Sequence, residues 1–193
     1  MKYKARRLLS SRLLQSSLLV MAAAGVLAAC SARMPNLLHT QLTLPEPIRV
    51  PQGYKAVLEA QGKGDLLYEC QAVKRAPYEY AWLLQTPGLR LEGGAGQTIM
   101  YYPGARSRWV HSDGSQVIAQ ELVEVTTDRS SLPLIRALAR PSTTSGALAN
   151  ISYIQSLKTA GGVVAAPVCT SASLGMRVSV PYEASYVFWQ PAA

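Results

Sequence analysis

From Pro45 onward, apolar and polar residues alternate with a period of two along much of the chain. The longest run lies at 177–188, where every second residue from Val178 to Phe188 is apolar or aromatic. Shorter runs of the same kind lie at 54–61, 66–72 and 80–84. Successive side chains of a strand point to opposite faces, so this period predicts strands with one buried face. Pro181 cannot donate a ladder hydrogen bond, so its strand is predicted to lie at a sheet edge or to carry a bulge there.

Turn sequences rich in glycine separate these runs, at 62–65, 86–88, 93–96, 113–115 and 161–162. Only Leu132–Arg140 has apolar residues at helical spacing, which predicts one short helix. Eight to ten strands with at most one or two short helices are typical of an all-β fold. We therefore expect 45–193 to form one domain, either a single antiparallel β-sandwich or a partly closed barrel.

The first 29 residues have the order of a secretory signal peptide, with a basic stretch, an apolar run and small residues. The apolar run Leu18–Leu27 is shorter than the roughly 20 residues that span a bilayer, which disfavours a transmembrane helix. The basic residues of this leader are Lys2, Lys4, Arg6, Arg7 and Arg12. We predict that 1–29 is a signal peptide.

The last three residues of the leader and the residue after it are Leu27-Ala28-Ala29-Cys30, which resembles the lipobox of bacterial lipoproteins. In that family the cysteine is acylated and the chain is cut just before it. The resemblance predicts lipidation at Cys30, with 30–44 as the lipidated N-terminus and tether. Ser31 follows the cysteine, and in lipoproteins a residue other than aspartate at this position resembles the default signal for the outer membrane. We expect an outer-membrane anchor and a domain that faces the periplasm. The alternative is an ordinary signal peptide with a cysteine near its cleavage site.

The net charge of +8 comes mostly from the leader, because the remaining 164 residues carry 14 basic and 11 acidic side chains. No basic stripe is left in the body of the chain, which argues against a nucleic-acid partner. We expect the membrane, through the lipid anchor, to be one partner, and an envelope protein or glycan to be another.

With Cys30 used for lipid, Cys70 and Cys169 form an even pair in an oxidising compartment, which predicts a disulfide. Two buried free thiols or a metal pair are the alternatives. Metal binding is disfavoured because the two histidines, His39 and His111, and the cysteines show no metal-ligand spacing. Gly93–Gly96 lacks the lysine and the hydroxyl residue of a phosphate loop, which argues against a nucleotide site. We predict no metal and no cofactor.

Residue types used in catalysis occur together at His111, Asp113 and Ser115, but adjacency in sequence does not make a catalytic triad. Asp113-Gly114 is most simply a hairpin turn that Ser115 closes. We predict no catalytic residue, and a hydrolase or isomerase with a cleft around His111 and Asp113 is the alternative.

Aromatic and basic residues suggest a ligand or partner surface, because aromatic rings with polar tips suit sugars and other ligands with apolar faces. We expect its central residues, Tyr101, Tyr102 and Trp109, to flank the turns at 93–96 and 113–115. Alternatively, the outward tyrosine packs on Trp109 as a cross-strand pair. The predicted surface consists of Trp82, Tyr101, Tyr102, Arg106, Arg108 and Trp109.

Several short segments, in order, resemble the domain-of-unknown-function family 3455, which comprises small secreted β domains. They are 48–53, 67–70, 80–84, Trp109 with 113–115, 151–155, 159–162, Cys169 and 180–186. Members usually place a His-Tyr-x-Gly-Pro segment before the tryptophan, whereas this chain has Met100-Tyr101-Tyr102-Pro103-Gly104 and two added residues. The resemblance implies a fold and a compartment but no activity. From the lipobox, the predicted disulfide and the scarcity of catalytic groups, we expect a non-enzymatic envelope lipoprotein that binds a protein, glycan or small molecule.

Overall fold

The computed structural model describes residues 41–74, 78–85, 88–104, 106–165 and 167–192, which belong to one compact unit. The predicted signal peptide, the lipidation site Cys30 and most of the tether lie outside the described residues. In the part that is described, no helix is long and apolar enough to span a membrane.

In the described part of the chain, nine antiparallel strands make up most of the domain. They are β1 (Tyr54–Ala72), β2 (Tyr80–Leu84), β3 (Leu89–Gly93), β4 (Thr98–Tyr102), β5 (Arg108–His111), β6 (Gln116–Val125), β7 (Leu134–Pro141), β8 (Tyr153–Gly161) and β9 (Arg177–Pro191). Single turns of 3-10 helix lie at Glu46–Ile48, Gly94–Gly96 and Ser171–Ser173. The predicted all-β class is confirmed.

The sheet closes on itself because the long strand β1 pairs with both β3 and β9. Strands β3 to β9 pair in sequence order, which gives a barrel of eight antiparallel strands with β1. The ninth strand, β2, pairs with the far end of β1, along the same edge as β3. Of the two expected architectures, the barrel is the one that forms.

A register shift in β1 changes which side chains face the barrel interior. Ala56 pairs with Trp189 and Leu58 pairs with Phe188, so Val57 is an extra residue in β1. Such a bulge bends the strand and reverses the facing of the residues before it. The Lys55 side chain, opposite Gln190 on β9, therefore points to the other face of the sheet from the one that an unbroken alternation predicts.

Apolar and aromatic side chains fill the barrel interior. Trp109 is 1% exposed and stacks on Tyr101, with ring centroids 4.8 Å apart and an interplanar angle of 11°. Tyr186 lies 5.7 Å from Tyr101 between ring centroids, and burial raises the pKa of both phenols. Other members of this core include Leu91, Ile99, Val117, Ile154 and Phe188. The centre of the barrel is thus a packed core.

The segment just before β1 covers part of the outer wall of the barrel. Ile48 is fully buried, and its carbonyl accepts a hydrogen bond from Nε2 of Gln155 at 2.6 Å. Gln41 exchanges amide hydrogen bonds with the same Gln155 at 2.9 and 3.1 Å. These bonds satisfy a glutamine that would otherwise be costly to bury. They also fix the start of the domain to β8.

Two predictions of local structure are wrong. Residues 62–65 do not form a turn, because β1 continues through them and pairs with β9 at each of these positions. Leu132–Arg140 is not a helix, because residues from Leu134 onward form β7, where the ladders with β6 and β8 override the local spacing. For Pro181 the edge alternative does not hold, since β9 pairs with β1 and β8, but the β8–β9 ladder has a register shift between Leu157 and Ala160, close to Pro181. Its carbonyl faces Gly162, where the β8 ladder ends. The N–H and C=O of a strand residue point to the same neighbouring strand. The N–H that proline lacks would therefore have pointed toward β8, so no hydrogen bond to β1 is lost.

The predicted disulfide is present and joins the far part of β1 to the loop between β8 and β9. Cys70 and Cys169 have Cα atoms 5.4 Å apart and are separated by 99 positions in the sequence. The backbone of Cys70 also pairs with Met176 and Gly175. The bond therefore adds a covalent link to a connection that these backbone hydrogen bonds also hold against β1.

Candidate functional site

The turn from His111 to Ser115 joins β5 to β6 and uses its polar groups internally. Oδ1 of Asp113 accepts hydrogen bonds from the backbone N–H of Ser115 at 2.8 Å and from its hydroxyl at 2.6 Å. Oδ2 accepts one from the N–H of Ala147 at 2.7 Å. The hydroxyl of Ser115 accepts one from the N–H of Leu148 at 3.0 Å. The turn therefore binds the loop between β7 and β8.

These hydrogen bonds hold the pKa of Asp113 far below its ordinary value. The largest cause is the Ser115 hydroxyl, followed by the N–H groups of Ala147 and Ser115, with a smaller contribution from His111. Nδ1 of His111 lies 3.0 Å from Oδ1. In a catalytic triad the serine donates to the histidine, whereas here Ser115 donates to the aspartate. Ser115 is also only 2% exposed.

Gly146 allows the loop to approach this turn closely. Its φ of +99° lies in the region that favours glycine, and a Cβ there would be 2.5 Å from Cβ of Ser115. Leu148 and Ile151 follow and are fully buried, which anchors the rest of the loop. The role that the geometry supports for Asp113 and Ser115 is thus to position residues 146–151.

We expect Asp113→Asn to loosen this loop, because an amide NH₂ in place of Oδ2 cannot accept the hydrogen bond from Ala147. The free energy of unfolding should fall by about 1–3 kcal/mol, and the Ala147 amide should exchange faster with deuterium. Since the folded pKa of Asp113 is lowered, wild-type stabilisation is present above the ordinary aspartate pKa and lost as the pH falls below about 4. The variant should lose less stability over this range.

The matched control is Asp128→Asn, because Asp128 also accepts hydrogen bonds from nearby serines. This change should leave exchange at Ala147 unaltered. Equal protection of Ala147 in the wild type and in Asp113→Asn would show that Asp113 does not hold the loop.

Tyr101 and Trp109 of the predicted aromatic surface lie inside the barrel, so their assignment to a surface is wrong. They pair across β4 and β5 and stack on each other in the core. The expected position was also wrong, because Tyr102 and Arg108 lie at the end of β4 and β5 that is remote from 93–96 and 113–115. Strand alternation does turn Tyr102 outward, as expected for consecutive tyrosines.

The outward members of the predicted surface are Tyr102, Arg106 and Arg108. The Arg108 guanidinium lies 4.6 Å from the centre of the Tyr102 ring, a cation–π contact. Gly88 packs against the same ring, where a Cβ would come within 3.1 Å. Trp82 instead donates from Nε1 to the carbonyl of Pro167 at 2.9 Å, beside the disulfide loop. Tyr102 and Arg108 therefore lie in contact, whereas Trp82 is hydrogen-bonded to the loop between β8 and β9.

A depression of about 420 Å³ lies at the mouth of the barrel, at the end where β1 and β8 begin and β7 and β9 end. It is open to solvent and lies in the size range of about 300–1,000 Å³ that is typical of ligand pockets. Its lining consists of Lys55, Pro141, Asn150, Ser152, Gln190 and Pro191.

The inward positions of the strands change from apolar to polar at this mouth. Gln190 comes two residues after the buried Phe188, and Ser152 comes two residues before the buried Ile154. The same alternation therefore turns Gln190 and Ser152 toward the barrel axis. None of the polar side chains of Lys55, Asn150, Ser152 and Gln190 bonds to another described residue. Their donors and acceptors are available to a ligand.

None of these mouth residues was predicted from the sequence. The change from apolar to polar at the end of the 177–188 run was the signal that could have identified Gln190. Lys55 could not be found in this way, because the bulge at Val57 reverses its facing. Asn150 lies in a loop, and its place at the mouth follows from the bonds that Asp113 and Ser115 make.

Fold and site together define a closed antiparallel β-barrel with a packed interior and a polar mouth. The chain belongs to the family described as "Protein of unknown function (DUF3455)", whose model matches residues 51–190. Among curated proteins none matches the chain, and among solved structures none does either.

Proposed function

We propose that this protein is an envelope lipoprotein of the outer membrane whose barrel is a non-enzymatic binding domain. The lipobox at 27–30 supports the anchor, and the disulfide is consistent with an oxidising compartment. The domain faces the periplasm and presents its mouth to an envelope component. The partner belongs to one of the classes expected from the sequence, namely a glycan, a small molecule or a protein segment.

The observation that carries this proposal is the set of uncommitted polar side chains at the mouth. Four polar side chains that bond to no other described residue converge on one depression, where Ser152 and Gln190 are half-buried and the other two are exposed. Barrel mouths are common ligand sites, because the closed sheet holds the lining residues rigidly.

Binding is preferred to the hydrolase or isomerase alternative because of how His111, Asp113 and Ser115 are used. The Asp113 carboxylate accepts bonds from two backbone N–H groups and a hydroxyl, so it has little capacity left for a substrate. His111 is 6% exposed, and the lining of the mouth contains neither residue. A general base must reach the proton that it abstracts.

The anchor predicts a clear result for Cys30→Ala. Without the thiol no acyl chain can be attached, so the chain should accumulate as an uncleaved precursor and incorporate no labelled fatty acid. Stable anchoring needs about two acyl chains or equivalent signals, which the lipidated cysteine would supply. Normal processing together with outer-membrane retention of this variant would refute the lipid anchor.

The binding role is tested by photo-cross-linking in intact envelopes, with the reactive residue placed at Asn150. We expect this mouth position to capture a discrete envelope component and Lys55→Met to reduce the yield. The control places the same reactive residue at Ser130, which is exposed in the connection between β6 and β7. Identical products from the two positions would contradict a ligand site at the mouth.

A further inference from the structure

We propose that the mouth of the barrel binds a saccharide unit that carries one carboxylate. This inference rests on the proposed function of the domain as a binding module and adds the chemical class of its ligand. The proposal is based on the groups that meet at the mouth. One lysine, two side-chain amides and one hydroxyl lie there together with two prolines, at the polar end of a closed barrel.

The charge of the lining selects a ligand with a single negative group. Among the described residues of the lining only Lys55 is charged, and it makes no ion pair with any of the described residues. A lysine ammonium is a point charge on a flexible stem, suited to a carboxylate that approaches from solvent. The lining, as far as the structure describes it, contains no fork-shaped arginine pair of the kind that is typical of bidentate phosphate sites.

The other polar groups match the hydroxyls of a sugar. The Asn150 and Gln190 amides each supply donors and an acceptor, and the Ser152 hydroxyl supplies both. A sugar hydroxyl is likewise both donor and acceptor, so each can satisfy one of these groups in either direction. An apolar ligand would leave the same groups unpaired and desolvated, which is costly.

The walls and the size of the mouth fit a ring with an apolar edge. Pro141 and Pro191 contribute the ring surfaces of the lining, which can pack on the C–H groups of a pyranose by dispersion contacts. A volume of about 420 Å³ lies near the small end of ligand pockets, so one or two sugar units are expected. Envelope uronic acids and N-acetylmuramic acid share this chemistry.

The test is calorimetric titration of the full protein, purified from membranes in detergent as the cell produces it. The probes are galacturonate, N-acetylmuramic acid, glucose, glucose 6-phosphate and acetate. We expect binding of the first two probes, with at least tenfold weaker affinity for glucose and for acetate. The stronger of the two carboxylated sugars identifies the source, a uronic-acid polymer or a peptidoglycan strand whose stem peptide has been removed, because the muramic carboxyl is otherwise an amide.

Two variants locate the interaction. Lys55→Met removes the charge from an exposed position and should weaken binding of the carboxylated sugars about ten- to hundredfold, the usual effect of losing a charged hydrogen bond. Lys74→Met makes the same change in charge at an exposed residue just beyond the far end of β1 and should leave the affinity unaltered.

Equal affinity for glucose, or tighter binding of glucose 6-phosphate, would overturn the carboxylate specificity. Failure of all five probes would overturn the saccharide class. Neither result would remove the proposed binding function, which the photo-cross-linking at Asn150 tests independently of the chemistry of the ligand. Equal effects of Lys55→Met and Lys74→Met would show that binding does not involve the mouth.

Discussion

Trp109→Ala is expected to lower the free energy of unfolding by about 3–5 kcal/mol, the usual cost of deleting a buried tryptophan or phenylalanine side chain. Trp109 is among the largest fully buried side chains and stacks on Tyr101 near the middle of the barrel. The rigid strands around it cannot collapse fully into the cavity that alanine leaves. Urea unfolding, followed by the remaining fluorescence and by circular dichroism, measures the loss.

The matched comparison is Tyr102→Ala, an aromatic truncation on the opposite face of the adjacent strand. Tyr102 is half-buried, and its contact with Arg108 is worth about 0.5–1 kcal/mol at exposed sites. Its loss should therefore cost roughly a third or less of the Trp109 value. Similar losses for the two variants would contradict the inward and outward placement of these rings.

The double variant Cys70→Ala/Cys169→Ala is expected to lose about 2–5 kcal/mol, toward the upper end of the range. The bond closes a loop across 99 positions, and the chain-entropy model assigns longer loops the larger effect. It also fixes the connection from β8 to β9, whose residue Pro167 accepts the hydrogen bond from Trp82. Losing the bond therefore affects both the unfolded chain and this loop.

Denaturant unfolding with and without reductant measures this effect. Reductant should destabilise the wild type to the level of the double variant and leave the variant itself unchanged. Thiol labelling of the denatured, unreduced protein should detect neither cysteine in the wild type. A double variant as stable as the oxidised wild type would show that the bond contributes nothing to stability.

Strand periodicity predicted much of the fold, because one face of each strand is buried and this selects apolar residues at every second position. The runs at 66–72, 80–84 and 177–188 are strands, and the turns at 93–96 and 113–115 connect strands as expected. The helix predicted at Leu132–Arg140 was wrong because a run of five or six apolar residues fits either period. The strand forms because its backbone pairs with β6 on one side and with β8 on the other.

The candidate site was harder to predict, since it depends on contacts between distant parts of the chain. Trp109 and Tyr101 were assigned to a surface because nothing local distinguishes an inward aromatic residue from an outward one. The mouth combines Lys55 from β1, Gln190 from β9 and Asn150 from a loop. Their meeting depends on barrel closure and on the bulge at Val57, and neither of these has a local sequence signal.

Deuterium exchange tests the central claim, that the mouth of the barrel is the binding site, most directly. The detergent-solubilised protein is compared with and without the soluble contents of its own envelopes, which include proteins, small molecules and the saccharides released by enzymatic digestion. We predict slower exchange in peptides that contain Lys55, residues 146–152 and Gln190, with no change at 98–110. Protection confined to the region of Tyr102 and Arg108, or no protection at the mouth, would contradict the account.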